Sequence, residues 1–554
     1  MFVRVKRIGH YEYLYLVENV REGGRHVQRV VKALGRKDEV EASGALDALI
    51  ASAARHSPRS IVLSRYYRGE LLELHRQSIG PDLVFGRLWE ETGCRAVLTE
   101  LQANRRFGFD LERAVYLAVL HRLMVSGSDR GAQTWKDKFH IPGAEALTLE
   151  QAYTSMAWLG EALPDPAGAL GPRTMTDVIE EALYRHRQDL FGAVSVAFFD
   201  TTSLYFEGDG GRTLGQRGHS KDYRPHLKQV VLGIVLDGED RPIASFLLPG
   251  NTADVTTLVP VVHRLRERFG IARACVVADR GMISAAVIAA LEAADVDYIL
   301  GARERSVREI YERVITDDGV PVPLAIPRQK GETRLAVKDV TIDGRRYIVC
   351  RNEEQAQKDA ETRAQILARL DTALAGDDMK LVANTGYRRY LKKAQAKAQT
   401  FAIDPDKVAA DAQFDGLFVL RVRTKLTGLQ AVLRYRNLLA VEDTFRAGKS
   451  LLRTRPVYHK TDQAIRGHVF CTFLGLVLRH ELITRIAPRR SKAIEWNAII
   501  DDLADLSWVV VEQDGKRARL RTAPGPTVDP VCRAIGVTLP PVYEELPPGI
   551  SPVH

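Results

Sequence analysis

The sequence predicts an α/β fold in which a mixed sheet follows a small β module and a mainly helical region. Three observations support this prediction. Residues 1 to about 35 alternate polar and apolar side chains as strands do, the segment from 36 to 190 has helical spacing, and strand-like runs alternate with helix-like runs between 193 and 301. Early strands followed by strand and helix in alternation are typical of a mixed sheet.

The N-terminal module is predicted from alternation within its first strands. Tyr11, Tyr13, Tyr15 and Val17 occupy every second position, which places them on one face of a strand. Helical signals begin at Lys37 and continue to about residue 190. We assign residues 1–35 to a small β module and residues 36–190 to a mainly helical region.

Capping patterns support the helical assignment. Asp110 precedes a long apolar run, and an aspartate in this position accepts hydrogen bonds from the first free backbone amides of a helix. Thr148 and Gln151 have the spacing of a capping box. Two helices are therefore expected to begin after Asp110 and after Thr148.

The segment 191–302 is predicted to form the first part of the sheet. Strands are expected at 193–206, 229–236, 241–248, 273–279 and 297–301, with helices at about 256–269 and 284–294. The alternation of strands and helices is lost in 303–425, so this segment is interpreted as an insertion. Within it, Asp343-Gly344 predicts a hairpin. Helical spacing returns in 426–486, and 487–554 is a C-terminal region that is a candidate for dimer contacts.

Composition narrows the class of protein. The 554 residues carry 79 Lys plus Arg against 70 Asp plus Glu, a net charge of +9 with a pI near 9.2, which suits a polyanionic partner. The five cysteines have no CxxC spacing and are interpreted as reduced core residues. Neither a signal peptide nor an apolar run of bilayer length is found, so we expect a cytoplasmic, nucleoid-associated protein without a membrane partner.

Two aspartates occupy positions where burying a carboxylate is energetically unfavourable unless a partner offsets its charge. Asp200 interrupts the apolar run that ends at Phe199, and Asp279 directly follows the apolar run that ends at Ala278. A buried carboxylate is unfavourable unless it is paired, and a divalent cation is a common partner. Oxygen ligands suit hard ions such as Mg²⁺ or Mn²⁺.

A third acidic residue, Glu442, follows in a helical pattern. Tyr435, Glu442 and Lys449 are spaced seven residues apart, so in one continuous helix they share a face. Arg446 and Lys449 lie one to two turns beyond the glutamate, where a phosphate backbone would run. A basic loop that contains Lys221 and Arg224 follows the first aspartate and is a candidate lining for a DNA channel.

The contexts of these acidic residues resemble those of a known family. Asp200 lies in Phe-Phe-Asp-Thr-Thr, Asp279 lies in Val-Ala-Asp-Arg-Gly, and the stretch 218–225 is similar to the family's linker after the first strand. The pattern Y-x2-R-x3-E-x6-K is met by Tyr435, Glu442 and Lys449, with Leu438 in place of arginine. The chain resembles DDE transposases of bacterial insertion sequences, in the insertion-sequence-four group.

This resemblance implies a ribonuclease H-like catalytic core with a mostly β insertion between the second aspartate and the glutamate. It implies that Asp200, Asp279 and Glu442 are both the catalytic residues and the ligands of two Mg²⁺ or Mn²⁺ ions. The implied partner is double-stranded DNA, as terminal inverted repeats and as target, and the implied assembly is a homodimer that pairs two ends. The candidate DNA contacts are Tyr435, Arg436, Arg446, Lys449, Lys221 and Arg224.

Alternatives remain open at this point. Tyr435 has a second interpretation as a packing aromatic, Lys449 as a solvated helix charge, and the basic loop as ordinary surface. An inactive DNA-binding descendant would account for Leu438 at the arginine position. A ribonuclease H-like DNA nuclease would use the same three carboxylates for hydrolysis alone.

Overall fold

The structure is a computed structural model that describes most of the chain. The described residues are 1–22, 25–54, 57–103, 105–165, 167–191, 196–271, 275–302, 310–327, 332–375, 385–393, 401–451, 454–489, 494–513 and 515–547. The chain forms two compact units. The first contains 1–80, 501–529 and 538–554, and the second contains 81–500 and 530–537. The boundaries of these two units do not coincide with those of the six segments predicted from the sequence. The boundaries of the six segments therefore stay predictions.

The N-terminal part of the first unit is the small β module that the alternation predicted, followed by short helices. Three antiparallel strands form a sheet in the order β1-β2-β3. The elements of this part are β1 (Phe2–Ile8), β2 (Tyr11–Glu22), β3 (Arg25–Arg36), α1 (Lys37–Ala42), α2 (Ala45–Ala54), α3 (Pro58–Tyr67) and β4 (Glu73–Ser78).

The second unit begins with the predicted helical region. Both predicted N-caps are present: Asp110 accepts from the Arg113 amide, and Thr148 and Gln151 form the reciprocal capping box. The helices are α4 (Arg87–Glu91), α5 (Cys94–Gln102), α6 (Leu111–Met124), α7 (Asp129–Lys136), α8 (Leu149–Leu159) and α9 (Met175–Phe191).

The predicted mixed α/β sheet follows. Strand β5 pairs in antiparallel fashion with β6, which pairs with β7, and it pairs in parallel with β8, which pairs in parallel with β9. Two helices pack their apolar residues on one face of this sheet. The elements are β5 (Val196–Tyr205), β6 (Gln229–Leu236), β7 (Pro242–Pro249), α10 (Leu258–Phe269), β8 (Cys275–Ala278), α11 (Ala285–Ala293) and β9 (Tyr298–Gly301).

The insertion extends the same sheet, which reaches nine strands in the order β10-β11-β12-β15-β9-β8-β5-β6-β7. The predicted hairpin is present, because Asp343 and Gly344 adopt the positive φ angles, 50° and 74°, of a tight two-residue turn. The elements are β10 (Val322–Pro327), β11 (Glu332–Ile342), β12 (Arg345–Arg351), α12 (Glu353–Ala375), α13 (Thr385–Arg388), β13 (Leu391–Lys393), β14 (Phe401–Ile403), α14 (Pro405–Ala412) and β15 (Leu417–Arg423). The ribonuclease H-like mixed sheet is confirmed.

The segment that carries Glu442 corrects one prediction. A single helix from Tyr435 to Lys449 was expected, but α15 (Gly428–Arg436) ends before α16 (Leu439–Arg446) begins, and a π-helical turn occupies Ala447–Leu451. Between the helices, the amides of Asn437 and Leu438 bond to carbonyls three residues back. Such a tightened turn rotates about 120° per residue instead of about 100°, so the seven-residue spacing no longer keeps one face.

The chain ends with one long helix and the remaining part of the first unit. Within that unit, β4 joins the C-terminal strands in a four-stranded sheet of order β18-β17-β16-β4. The elements are α17 (Asp462–Ile486), α18 (Trp496–Asp505), β16 (Ser507–Gln513), β17 (Lys516–Arg521), α19 (Val528–Ile535) and β18 (Tyr543–Glu545). All five cysteines are buried free thiols, as predicted. No helix in the described part of the chain has the length and apolar character needed to cross a bilayer.

Helices α8 and α17 approach closely because glycines lie between them. A Cβ atom at Gly467 would lie 2.1 Å from the Met156 carbonyl oxygen, and one at Gly160 would lie 2.0 Å from the Gln463 carbonyl oxygen. Backbone atoms cannot yield to such a contact as a flexible side chain can. The two glycines therefore set the distance between α8 and α17 within the second unit.

We predict that Gly467→Ala lowers the thermal unfolding midpoint of the protein, because the added methyl group forces α8 and α17 apart at an expected cost of about 1–3 kcal/mol. Gly448→Ala is the matched control, since its added carbon would meet its nearest neighbour, Leu476 Cδ1, at an ordinary 3.7 Å. Equal midpoints for the two variants in thermal melts monitored by circular dichroism would contradict the close approach.

Candidate active site

Two of the three predicted acidic residues lie side by side on neighbouring strands. Strands β5 and β8 run parallel with Phe199 opposite Ala278, and each of these residues is followed by an aspartate, Asp200 or Asp279. Residues opposite each other in this register face the same side of a sheet. The register therefore directs both carboxylates, Asp200 within β5 and Asp279 directly after β8, to one side of the sheet.

That side of the sheet is the one on which the Glu442 helix packs. Thr202 and Leu204 alternate with Asp200 along β5, and they line a small space together with Phe445 of α16 and Phe473 of α17. Alternation places Asp200 on the same face. Helices α16 and α17 thus cover the face that bears the two aspartates.

The surroundings of Asp200 disfavour its charge. Its side chain is 19% exposed, and burial raises the pKa of the carboxyl group to about 6, with further contributions from the carboxylates of Asp279 and Asp254. Lys221 and the Thr201 amide, which donates to Asp200 Oδ1 at 2.6 Å, act in the opposite direction and lower the pKa. The site therefore holds more negative charge than its own residues compensate.

Tyr435 holds the second aspartate. Its hydroxyl group donates to Asp279 Oδ1 at 3.1 Å, and burial together with the nearby Asp279 carboxylate raises the pKa of Tyr435 far above its usual value. Gly301 permits this approach, because a Cβ atom there would lie 2.5 Å from the tyrosine oxygen. The structure thus gives this predicted DNA contact a position inside the acidic site.

Asp254 is an acidic residue near the site that the sequence motifs do not mark as a ligand. It lies in the short 3-10 turn Asp254–Thr256 after β7, and its carboxylate accepts from the Thr201 hydroxyl group at 2.6 Å and from Lys221 Nζ at 3.0 Å. Its position follows from the turn after β7, which brings Asp254 to Thr201 of β5, although β6 separates β7 from β5 in the sheet. No spacing in the sequence encodes that contact.

Glu442 lies on the solvent-facing side of α16. Its helix contacts β5 and β6 through buried Val441 and Phe445, whereas Glu442 itself is exposed. It has no hydrogen-bond or ion-pair partner among the described residues. The described residues contain one trio of potential metal ligands whose atoms all lie within 4.8 Å of one another, and that trio does not include Glu442, Asp200 or Asp279.

Lys449 is part of a buried ion-pair cluster rather than a solvated helix charge. Its Nζ donates to Asp222 Oδ1 at 2.7 Å, and Arg455 binds the same oxygen. Burial lowers the pKa of Lys449 despite the nearby carboxylate. Arg224 lies over the Tyr205 ring at 4.8 Å, and Arg455 lies over the same ring at 5.7 Å. These cations form a basic cluster beside the acidic site.

The two remaining candidate arginines lie at helix ends. Arg436 ends α15, and Arg446 ends α16, where it pairs with Asp443 at 2.9 Å while both side chains remain largely exposed. Exposed pairs of this kind are weak. Arg446 can therefore exchange Asp443 for another anion at little energetic cost.

Asp200 and Asp279 fit a divalent cation. They supply oxygen atoms from one side of the sheet, and the raised pKa of Asp200 indicates negative charge that a cation would offset. Asp254 adds a third carboxylate beside Asp200. The donor set is thus the oxygen-rich type that Mg²⁺ and Mn²⁺ prefer.

The trio within 4.8 Å, Asp129, His459 and His468, does not fit a metal equally well. Arg122 Nη2 lies 2.7 Å from His468 Nδ1 and 3.6 Å from Asp129 Oδ1, so a guanidinium group already fills the position between them. Because Arg122 donates to Nδ1, the proton of His468 lies on Nε2 and points to the Thr454 carbonyl at 3.2 Å. We interpret this trio as a buried ion-pair network.

We predict that Asp200→Asn stabilises the EDTA-treated protein at pH 7.5. A folded-state pKa of about 6 against 3.8 means that ionisation of Asp200 opposes folding increasingly between pH 3.8 and pH 6, and by at most about 3 kcal/mol above pH 6. The increase in the free energy of unfolding should fall to about half at pH 5, where Asp200 of the folded protein keeps its proton. Thermal unfolding at the two pH values tests this, with Asp443→Asn at an exposed carboxylate as control. A gain independent of pH would contradict it.

The chain matches two protein-family models and has a likeness to a solved structure. Residues 194–478, just over half of the chain, match the model described as the transposase DDE domain. Residues 3–65 match the model described as the N-terminal domain of IS1634 family transposases. No curated protein matches the chain. The N-terminal match names the IS1634 family, whereas the motif resemblance named the insertion-sequence-four group, and the two matches support the broader DDE transposase assignment.

Among solved structures, the chain has a likeness to one described as the Mos1 transposase paired-end complex with left transposon end. The sequences are 12% identical, the likeness covers 35% of this chain and 60% of that one, and the TM-score is 0.14. The chain thus spans less than two thirds of that relative's length. The family assignment therefore depends on the two model matches and on the acidic residues that lie within 194–478. On this evidence the chain belongs to the family of DDE transposases.

Proposed function

We propose that this protein is a transposase that cleaves insertion-sequence DNA ends and joins them to target DNA by phosphoryl transfer. The observation that carries the proposal is the pair Asp200 and Asp279, which project from adjacent parallel strands to one face within the matched DDE domain. Within the DDE transposases, the N-terminal match supports placement in the IS1634 family.

We propose that Asp200, Asp279 and Glu442 hold two Mg²⁺ or Mn²⁺ ions. When bound, such a pair stabilises the attacking and leaving oxygens of an in-line displacement. Tyr435 orients Asp279 through its hydroxyl group, and the packing of α16 on β5 and β6 supports a place for Glu442 near the aspartates. Glu442 completes the ligand set by turning toward the aspartates, which the break between α15 and α16 would allow.

The DNA contacts proposed for this activity surround the acidic face. Lys221, Arg224, Lys449, Arg436 and Arg446 would neutralise phosphates, in keeping with a net charge of +9. Binding through such contacts weakens as salt concentration rises. The substrates are the terminal inverted repeats and target DNA. Residues 36–190 are the proposed end-binding region, and residues 487–554 are the proposed contacts of a homodimer that pairs two ends.

A second candidate is a DNA-binding descendant without strand-transfer activity. Leu438, at the position of the motif arginine, is buried, and Glu442 is exposed. An apolar residue at this position cannot contact phosphate. Such a protein would still bind the element ends through its basic cluster.

The proposal predicts metal-dependent nicking of a labelled duplex that carries the sequences flanking the gene, with Mg²⁺ or Mn²⁺ against EDTA. Asp279→Asn and Glu442→Gln should each reduce cleavage at least about a hundredfold while end binding in a gel-shift assay persists, because each removes a charged ligand without changing shape. Asp443→Asn removes the adjacent, exposed carboxylate of the same helix and should cleave normally.

Full cleavage by Glu442→Gln would remove this residue from the ligand set. End binding without cleavage by the wild type would favour the inactive descendant. Cleavage without joining to a target duplex would indicate a ribonuclease H-like nuclease.

A further inference from the structure

The Lys221 ammonium group occupies a cage of oxygen atoms in the acidic site. Its Nζ lies 2.7 Å from the Thr201 carbonyl oxygen, 2.9 Å from Thr201 Oγ1, 3.0 Å from Asp254 Oδ2 and 3.9 Å from Asp200 Oδ1. The side chain is 32% exposed. A residue expected to line a DNA channel is thus turned inward onto the carboxylates.

The cage has the chemistry of a site for a hard cation. It combines a backbone carbonyl, a hydroxyl group and two carboxylates, which are the ligand types of Mg²⁺ and Mn²⁺. Thr201 is itself held, because its hydroxyl group donates to Asp254 Oδ1 at 2.6 Å. An ammonium group and a divalent ion a few ångströms apart repel each other strongly at a partly buried position.

The backbone of Lys221 is anchored while its side chain is long and flexible. The Lys221 amide donates to Ser203 Oγ at 2.9 Å, which fixes the loop beside β5. The next residue, Asp222, binds Lys449 and Arg455. If the ammonium group left the cage, it would therefore remain beside the basic cluster.

We propose that Lys221 is an internal cation that neutralises the acidic site before metal binds and that a divalent ion must displace. This proposal depends on the metal-binding role of Asp200 in the proposed function. It adds that the Lys221 ammonium group competes with the divalent ion for the same oxygen atoms. The displaced ammonium group joins Lys449 and Arg455 and becomes available to a DNA phosphate. Metal binding and phosphate binding are then coupled through one side chain.

The test is Mn²⁺ binding to the full chain without DNA, measured as the loss of the free-ion signal by electron paramagnetic resonance. Lys221→Met keeps the aliphatic stem and removes the charge, so it should lower the Kd for Mn²⁺ at least about fivefold, the lower range of typical coupling between sites. Lys228→Met is the matched control in the same loop. Its ammonium group bonds the Asp209 carbonyl at 2.9 Å, and its Kd should equal that of wild type.

A second measurement covers the case in which Lys221→Met folds poorly. Lys221→Gln is also neutral but can still donate to the Thr201 carbonyl, and the Mn²⁺-induced rise in its thermal midpoint should exceed that of wild type. A Kd and a midpoint shift equal to those of wild type in both neutral variants would overturn the competition.

Asp200→Asn separates this outcome from a failure of the proposed function. If Asp200→Asn abolishes Mn²⁺ binding while Lys221→Met leaves the Kd unchanged, only the competition is overturned. If Mn²⁺ binding survives Asp200→Asn undiminished, the ion lies elsewhere, and both the metal site and the competition are overturned.

Discussion

The rest of the catalytic unit depends on placing carboxylates side by side where the sheet is buried. Asp200 and Asp279 project from adjacent parallel strands, and burial raises the pKa of Asp200 because the ionised form loses contact with water. Such charge is tolerated only if the surrounding packing prevents the side chains from turning away. The nine-stranded sheet, covered by α10 and α11 on one face and contacted by α16 and α17 at β5 to β7, supplies that packing.

Hydrogen bonds and close approaches then fix each group around the aspartates. Tyr435 reaches Asp279 because Gly301 has no side chain, and Thr201 connects the β5 backbone to Asp254. These residues come from four separate stretches of the chain. The orientation of the carboxylates is therefore a property of the packed sheet and its flanking helices.

Two sets of opposite charges lie next to each other in the site. Lys221 faces the carboxylates of Asp254 and Asp200, while Asp222, the next residue, holds Lys449 and Arg455. One oxygen of Asp222, Oδ2, is buried without a hydrogen-bond partner in the described part of the chain. A short loop segment thus joins an acidic centre to a basic cluster, which is the arrangement that a metal-dependent reaction on a phosphate backbone requires.

The sequence by itself determined what depends on local spacing. Short apolar runs located Asp200 and Asp279, the Asp343-Gly344 pair located a hairpin, and Thr148 located a capped helix, because each of these features depends on neighbours within a few residues. Tertiary structure decided the rest. Asp254 and Lys221 meet only because the turn after β7 and the Lys221 loop both reach Thr201 of β5, and Lys449 is buried only because Asp222 lies opposite it. The tightened turn at Asn437 and Leu438 also rotates Glu442 off the face that a regular helix would give it. Such contacts join residues far apart in the chain, and no local periodicity records them.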